Sequence, residues 1–257
     1  MKILARPLSL VLTFIVSGAI FGCRPSAPSE FKASQDAFQK ISRVSVEWSS
    51  QNDLGSFQQT AELDCSGGYY HRHIVKDLSA KGAADTRSAL GAPLWHQDTE
   101  YLFVDGRSYE RSSGQFGFDA KPSWVRSVSN FNPKSYCQDL QAGKDPEDGP
   151  FGSYVHFIPV VDFKQVLSDN KLQYVADRIS DDGPCREYSV TYSSNVESSS
   201  RPTPNGAYVS FEMKPVDAKM CLGPKDHLPR QVEQDGWMVK YSYGEIQKLA
   251  APAAAGF

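Results

Sequence analysis

The sequence predicts a mainly β protein built on an antiparallel sheet with a few helices, and three observations lead to this fold class. Stretches of alternating apolar and polar residues, such as RVSVEWSS at 43–50, have the period of a half-buried strand. Turn dipeptides of the Asp-Gly or Asn-Gly type separate such stretches at 105–106, 182–183, 205–206 and 235–236, and they favour antiparallel hairpins. Strands do not alternate with helices along the chain, which argues against a parallel sheet.

The first predicted elements are a helix and three strands. EFKASQDAFQKIS at 30–42 has the apolar spacing of an amphipathic helix, with Ser29 as its N-cap. Its predicted packing face holds Phe31, Ala37, Phe38 and Ile41. In the strand that follows, Val44, Val46 and Trp48 share one face because side chains alternate along a strand. Two further strands are predicted at 56–65 and 69–75, with turns at 52–55 and 66–68.

The middle of the chain is less regular than its two ends. The strongest hairpin signal is EYLFVDGRSYERS at 100–112, in which Asp105 and Gly106 suit a type I′ turn. Asn132 and Pro133 form an N-cap and first-turn pair for a short helix at 133–143, and 161–170 has the pattern of a second helix. Strand-like segments return at 171–179, 185–193, 207–214, 230–234 and 237–243.

The N-terminal segment has the pattern of a targeting peptide. Lys2 and Arg6 precede a run of apolar residues at 8–21 that is too short to span a bilayer comfortably. The following IFGC at 20–23 resembles the lipobox of bacterial lipoproteins, which implies lipid attachment at Cys23. Phe21 departs from the smaller residue that is usual there, and the alternative is an ordinary signal peptide cut elsewhere, with Cys23 free. Arg24 stands where an aspartate would imply inner-membrane retention, so we expect the outer membrane, with the domain facing the periplasm.

These patterns divide the chain into three parts. Residues 1–22 are predicted to be the signal peptide, the Pro- and Ser-rich 23–30 a tether, and 31–257 one domain. Residues 1–22 hold two basic residues and no acidic one, so the net charge moves from −3 to about −5 without them. Basic residues do not cluster along the chain, and we therefore expect no nucleic-acid partner.

Four cysteines remain after Cys23 is set aside, namely Cys65, Cys137, Cys185 and Cys221. An even number in an exported chain predicts two disulfides, and four cysteines allow three pairings. Cysteine pairs with CxxC spacing are missing from the sequence, so we expect no structural metal site and no cofactor.

Catalysis would leave the sharpest sequence trace, and the sequence carries none of the common catalytic motifs. We therefore expect no catalytic residues and no enzyme activity. His71 and His73 would point to the same face of a strand, and a metal site would need a third ligand such as His96. Solvent-facing histidines are the commoner outcome on a strand, and we prefer that interpretation.

Aromatic residues are frequent in the strand-like stretches, and most should be core or cross-strand pairs. We expect a minority to line an apolar cavity on the concave side of the sheet, since ligand sites are mainly hydrophobic. The residues of this set are Tyr69, Tyr70, Trp95, Tyr101, Phe103, Tyr109, Trp124, Tyr188, Tyr192, Tyr208, Phe211, Trp237, Tyr241 and Tyr243.

Several of these segments, taken in order, resemble one group of envelope proteins. They are the first helix, RVSVEWSS, the hairpin YLFVDGRSYERSS followed by Trp124, and CLGPKDHLPRQVEQDGWMVKYSYGEI with its Leu228-Pro229 and Tyr241-Ser242 pairs. Together they look like the LolA/LolB-like proteins, to which LppX/LprG-type lipoproteins are similar. The resemblance implies an antiparallel half-barrel packed around a few helices, with a cavity for acyl chains. The lipobox, the four further cysteines and the insertion at 119–157 depart from the soluble carrier LolA.

The implied fold also bears on the disulfides and on function. In such a half-barrel the start of the strand at Cys185 can lie beside the end of the segment at Cys221, which favours this pair and leaves Cys65 with Cys137. We expect a lipid-anchored, non-catalytic envelope protein that binds an acyl chain or another apolar ligand. The alternative is a structural or protein-interaction lipoprotein without a small ligand.

Overall fold

The computed structural model describes residues 26–53, 55–79, 96–113, 123–127, 132–141, 171–181, 183–203, 206–234 and 236–253. The predicted signal peptide, Cys23, most of the insertion at 119–157 and the second helix predicted at 161–170 lie outside these residues. Within them, helices long and apolar enough to cross a membrane are not found.

The described residues form one antiparallel sheet of eleven strands, which confirms the mainly β prediction. The chain builds one half of the sheet outward from β1 to β6, and the other half returns from β7 to β11, which pairs with β1. The spatial order is β6-β5-β4-β3-β2-β1-β11-β10-β9-β8-β7, and the sheet is open, with β6 and β7 at its edges. The strands are β1 (Arg43–Asn52), β2 (Gly55–Asp64), β3 (Tyr69–Leu78), β4 (His96–Val104), β5 (Arg107–Ser113), β6 (Val125–Ser127), β7 (Leu172–Ser180), β8 (Gly183–Thr203), β9 (Gly206–Leu222), β10 (Pro229–Gln234) and β11 (Trp237–Ser242).

The predicted hairpins are present, although two of the four turn positions were wrong by one residue. Asp105 and Gly106 have φ values of 51° and 72°, as the type I′ turn between β4 and β5 requires. The turn at 235–236 also links paired strands, β10 and β11. At the other two sites the pairing of Ser180 with Gly183 and of Thr203 with Gly206 places each glycine at the start of the next strand.

Helix α1 (Ala27–Phe38) begins three residues earlier than the sequence predicted. Ser26 is the N-cap, and its Oγ accepts a hydrogen bond from the Ser29 N–H at 3.4 Å, while Pro28 lies in the first turn, where a missing N–H costs nothing. The predicted N-cap at Ser29 was therefore wrong, and residues 27–30 form the first turn of α1. Two serines three residues apart gave the sequence two capping sites, and the proline favours the earlier one.

The apolar stripe of α1 packs on the half of the sheet that contains β8 and β11. Phe31 contacts Tyr188 edge to face at 5.3 Å between ring centroids, and Phe38 contacts Tyr241 in the same way at 6.3 Å. Ser34 replaces the predicted Ala37 on the buried face, because 31, 34 and 38 follow the helical repeat more closely.

Helix α2 (Pro133–Gln141) is the predicted short helix, and a disulfide attaches it to the sheet. The Asn132 Oδ1 accepts a hydrogen bond from the Lys134 N–H at 2.9 Å and so caps the helix. Cys137 is bonded to Cys65, which follows β2, with their Cα atoms 5.7 Å apart. Cys185 and Cys221 form the second disulfide, with a Cα separation of 5.5 Å. Both pairs are those that the sequence analysis favoured.

Residues of both helices share one side of the sheet, called the core face below, and the opposite side is called the outer face. Cross-strand partners such as Val44 and Leu63 point to the core face together, and Tyr136 of α2 joins the same cluster. The buried apolar residues of this core are Phe31, Phe38, Ile41, Val44, Val46, Leu63, Tyr70, Tyr136, Cys137, Tyr188, Val190, Val216, Ala218, Met220, Leu222, Val232, Val239 and Tyr241.

The outer face has a smaller apolar cluster, formed by Tyr69, Leu102, Val104 and Tyr109. A segment after β11 packs on this cluster through Ile246, and the Leu249 N–H donates a hydrogen bond to the Tyr69 hydroxyl at 3.2 Å. The outer face is therefore partly covered by the chain itself.

Asp64 holds the same C-terminal segment through an ion pair with Lys248, at 2.8 Å. Burial by itself raises the pKa of Asp64, but Lys248, the Gly67 N–H and the Ser66 hydroxyl lower it to well below its ordinary value. The side chain of Asp64 is almost completely buried, so these contacts keep the carboxylate ionised in the folded protein.

Candidate ligand-binding face

The core face changes from apolar to polar along a single row of cross-strand partners. Val46 on β1 pairs with Ala61, Ala61 pairs with Arg72 on β3, and Arg72 pairs with Tyr101 on β4. Arg72 is buried, and its Nε and Nη2 donate hydrogen bonds to the Gln59 Oε1 at 3.1 and 2.7 Å. Burial lowers the pKa of Arg72, although the guanidinium remains charged at neutral pH. The sheet thus places a buried cation beside its apolar core.

Three aromatic residues form a second feature of this face, called the aromatic patch below. It consists of Trp48, Phe57 and Trp237, whose ring centroids are separated by 5.0 Å for Trp48–Phe57 and 5.7 Å for Trp48–Trp237. All three side chains are half-buried. Trp237 lies four residues from Tyr241 on the same strand face, so the patch lies beyond the place where Phe38 of α1 contacts the sheet.

The aromatic patch contains a polar group without a partner. The Trp48 Nε1 is buried, and within the described part of the chain it has no hydrogen-bond acceptor. A buried donor without an acceptor costs about 1–3 kcal/mol, and such a group in a native structure calls for an explanation. An acceptor on a bound molecule would remove this cost.

Lys76 borders the aromatic patch. It is the cross-strand partner of Phe57, and its Nζ lies 5.8 Å from the centroid of the Phe57 ring. Burial lowers the pKa of Lys76, and the charge of Arg72 on the same strand lowers it further. Among the residues that the structure describes, Lys76 forms no ion pair. The core face therefore presents aromatic surface next to a half-buried cation.

His71 and His73 share the outer face, as the sequence predicted, but they do not meet at one centre. The Nδ1 of His71 lies 3.4 Å from the Glu62 carboxylate, and its Nε2 lies 3.1 Å from the Glu100 carboxylate. Burial lowers the pKa of His71, but these two carboxylates outweigh that effect and raise it. Arg111 also contacts Glu100, so the site is a balanced network of charges.

The other two strand histidines have separate carboxylate partners. The His73 Nε2 lies 2.9 Å from Asp98, and the His96 Nδ1 lies 2.6 Å from Asp77. Within the described ranges, three or more His, Cys, Asp or Glu side chains do not come together as metal ligands. His71, His73 and His96 therefore do not converge on one centre in the structure.

A third polar site joins α1 to the sheet and is called the Glu30 network below. Glu30 is only 1% exposed, and its two oxygens contact Arg186 Nη1 at 2.6 Å and His227 Nδ1 at 2.9 Å. Arg186 belongs to β8, and His227 lies between β9 and β10 with a φ of 58°. Nothing in the sequence around residue 30 pointed to this contact.

A groove lies beside the second half of α1. Its volume is about 740 Å³, and its wall includes the charged residues Asp36, Lys40 and Arg43 as well as Leu228 and Tyr243. The groove is open, and its wall combines charged and apolar side chains. Burial raises the pKa of Tyr243 well above its ordinary value, and its hydroxyl donates a hydrogen bond to the Pro229 carbonyl at 2.8 Å.

The structure places the predicted site residues in several different parts of the protein. Cys23 and Trp95 lie outside the described residues, and at Tyr192, Tyr208 and Phe211 the structure describes the backbone alone. Of the aromatic set, Tyr70, Tyr188 and Tyr241 are buried in the core, Trp237 belongs to the aromatic patch, and the outer-face cluster holds Tyr69, Tyr109 and Trp124.

The sequence analysis missed Phe57 and Lys76 as site residues. β3 was predicted to end at Val75, whereas the strand continues to Leu78 and so includes Lys76. No protein-family model matches the chain, and no curated protein matches it.

Proposed function

We propose that this chain is a lipid-anchored, non-catalytic protein of a bacterial envelope, and that the core face of its sheet binds an acyl chain or another apolar ligand. Lipid attachment is assigned to Cys23, in the outer membrane, with the domain facing the periplasm. In this proposal the open sheet curves into a half-barrel around α1 and α2, and the ligand lies on the part of the core face beyond α1.

The aromatic patch is the observation that carries this proposal. Its rings are half-buried and lie next to the apolar core. An alkyl chain that lies over these rings would therefore remove apolar surface of both the ligand and the protein from water. Each square ångström of apolar surface buried contributes about 25 cal/mol, and ligand sites combine such surface with a few polar groups. The buried Trp48 N–H, which has no acceptor in the described part of the chain, is such a group.

The two disulfides support the assigned compartment. Disulfides form and persist in oxidising environments such as the bacterial periplasm, and they are rare in the cytosol. Both bonds join segments that are distant in sequence, with separations of 72 and 36 residues, so each restricts the unfolded chain considerably.

Photolabelling of the full chain in bacterial membranes tests ligand binding. The probe is a long-chain fatty acid that carries a diazirine on its chain and an alkyne for detection. Peptide mapping of the labelled protein should locate the crosslinks on β1, β2 and β11, the strands that carry the aromatic patch. An excess of unlabelled fatty acid should abolish them.

Two tryptophan variants provide the matched comparison. Trp237→Ala should raise the probe concentration for half-maximal labelling by about tenfold, which corresponds to 1.4 kcal/mol of binding free energy. Trp124→Ala removes an equally half-buried ring, which stacks over Arg111 on the outer face at 4.8 Å, and should leave labelling unchanged. Equal effects of the two variants, or crosslinks spread evenly over both faces, would refute the proposed site.

Fractionation of cells tests the anchor separately. Cys23→Ser removes the thiol that would carry the lipid, and the protein should then leave the membrane fraction while keeping its disulfides. A Cys23→Ser protein that stays in the membrane would contradict lipid attachment at this residue.

One observation favours the alternative of a protein-interaction lipoprotein. Ile179 on the edge strand β7 is 90% exposed, and Val175 on the same strand is 48% exposed. Exposed apolar residues on an edge strand are typical of contact surfaces. Ile179→Asp should then abolish co-purification of a partner, whereas the photolabelling of the core face should not change.

A further inference from the structure

We infer that the ligand of the core face is an amphiphile with an anionic headgroup, and that Lys76 binds this headgroup while the aromatic patch contacts the apolar chain. This inference rests on the proposed function, and it adds the chemical class of the ligand. A carboxylate and a phosphate monoester share the chemistry required, which is a negatively charged group of oxygens at one end of an alkyl chain.

The position of Lys76 is the first step of the argument. On β3 the core-facing residues alternate as Arg72, Ile74 and Lys76, so the apolar Ile74 lies between two cations. Lys76 is half-buried against Phe57, and within the described residues its ammonium has no carboxylate partner. A charge removed from water is costly unless an opposite charge compensates it.

The charge balance of this part of the face is the second step. Arg72 and Lys76 repel one another, as the lowered pKa of Lys76 reflects. Among the described core-facing residues of β3, β4 and β5, the acidic one is Glu110, and the burial that raises its pKa disfavours its charged form. An anion bound near Lys76 would compensate the charge of this lysine, and it would interact more strongly there than in bulk water.

The geometry of the aromatic patch is the third step. Phe57 is the cross-strand partner of Lys76, and Trp48 contacts Phe57 on its other side. A molecule whose charged end lies at Lys76 would therefore place its adjoining chain over Phe57 and Trp48. The side chains are thus ordered as cation, phenyl ring and indole, which matches the order of charge and hydrocarbon in an amphiphile.

Photolabelling with matched probes tests the headgroup. The probes are the diazirine fatty acid, its methyl ester and an alkyl phosphate with the same diazirine chain, each applied to the full chain in membranes. Lys76→Gln should raise the half-saturating concentration of the fatty acid and the alkyl phosphate by about tenfold. The same variant should leave the labelling by the methyl ester unchanged.

Two further variants control for charge and for folding. Lys76→Arg keeps the positive charge and should retain the preference for the acid over the ester. Lys219→Gln removes an exposed lysine of β9 and should leave every probe unaffected. Comparison with Lys219→Gln in the same membranes also cancels differences in the partitioning of the probes into the bilayer.

The outcomes separate this inference from the proposed function. If Lys76 merely covers apolar surface with its alkyl stem, the ratio of labelling by the fatty acid to labelling by its methyl ester should be the same before and after Lys76→Gln. That result would overturn the headgroup assignment, although labelling of the core face would persist. Displacement of the fatty acid by millimolar inorganic phosphate alone would identify a free anion as the ligand and would also overturn it. Absence of core-face labelling by all three probes would refute the proposed function itself.

Discussion

Replacement of Glu30 by glutamine should destabilise the protein by about 2 kcal/mol. Removal of one partner from a buried ion pair costs about 3–5 kcal/mol, since the remaining charge stays buried. Here the side chains of Arg186 and His227 are 23% and 34% exposed, so water can reach both after the carboxylate is lost, which reduces the cost. Glutamine has nearly the same volume, so the change reports on charge and hydrogen bonding rather than on a cavity.

Urea unfolding, followed by tryptophan fluorescence with both disulfides intact, measures this effect as a shift of the midpoint at constant slope. Asp36→Asn is the matched control, because Asp36 lies on the same helix and forms an exposed ion pair with Lys32 at 3.2 Å. Exposed pairs of this spacing contribute roughly 0.2–0.5 kcal/mol. A loss in Glu30→Gln no larger than in Asp36→Asn would refute the view that the Glu30 network attaches α1 to the sheet.

Three other predictions concern stability. The contacts that lower the pKa of Asp64 stabilise the fold above about pH 4, and this contribution is lost as the pH falls further. Urea unfolding should therefore show that Asp64→Asn is less stable than the unmodified protein at pH 7. The difference in the free energy of unfolding should shrink toward pH 2. Replacement of Cys65 and Cys137 by serine opens a loop of 72 residues and should cost about 4 kcal/mol in the same assay; a loss below about 1 kcal/mol would contradict this estimate. Gly55→Ala should lower the melting temperature, because the φ of Gly55 is 141° and a methyl group would overlap a backbone carbonyl of β3; an unchanged melting temperature would contradict that geometry.

Much of the local structure could be predicted because short-range patterns determine it. The alternation of Val44, Val46 and Trp48 indicated both a strand and its buried face, and Asp105-Gly106 indicated the hairpin between β4 and β5. Both features depend on residues within about ten positions of one another, so the sequence contains the whole signal.

The contacts that join α1 to the sheet could not be predicted, because they link segments that are distant in sequence. Arg186 and His227 are 156 and 197 residues from Glu30, and neither has a neighbourhood that indicates a carboxylate partner. The pairing of β1 with β11, which brings Trp237 into contact with Trp48, also joins two strands that are distant in sequence. The alternation rule placed His71 and His73 on one face, but it could not show which carboxylates the adjacent strands would bring to them.

If Cys23 carries the proposed lipid, the early start of α1 limits how far the domain can move from the membrane. Cys23 and Ala27 are four positions apart in the sequence, and an extended chain of that length reaches about 14 Å at most. The first turn of α1 is fastened to β8 and to the loop before β10 through Glu30. With a lipid on Cys23, that side of the sheet would remain close to the bilayer surface, and the domain would have little freedom to reorient. The protein would then exchange an amphiphile next to the lipid headgroups, without diffusing across the periplasm.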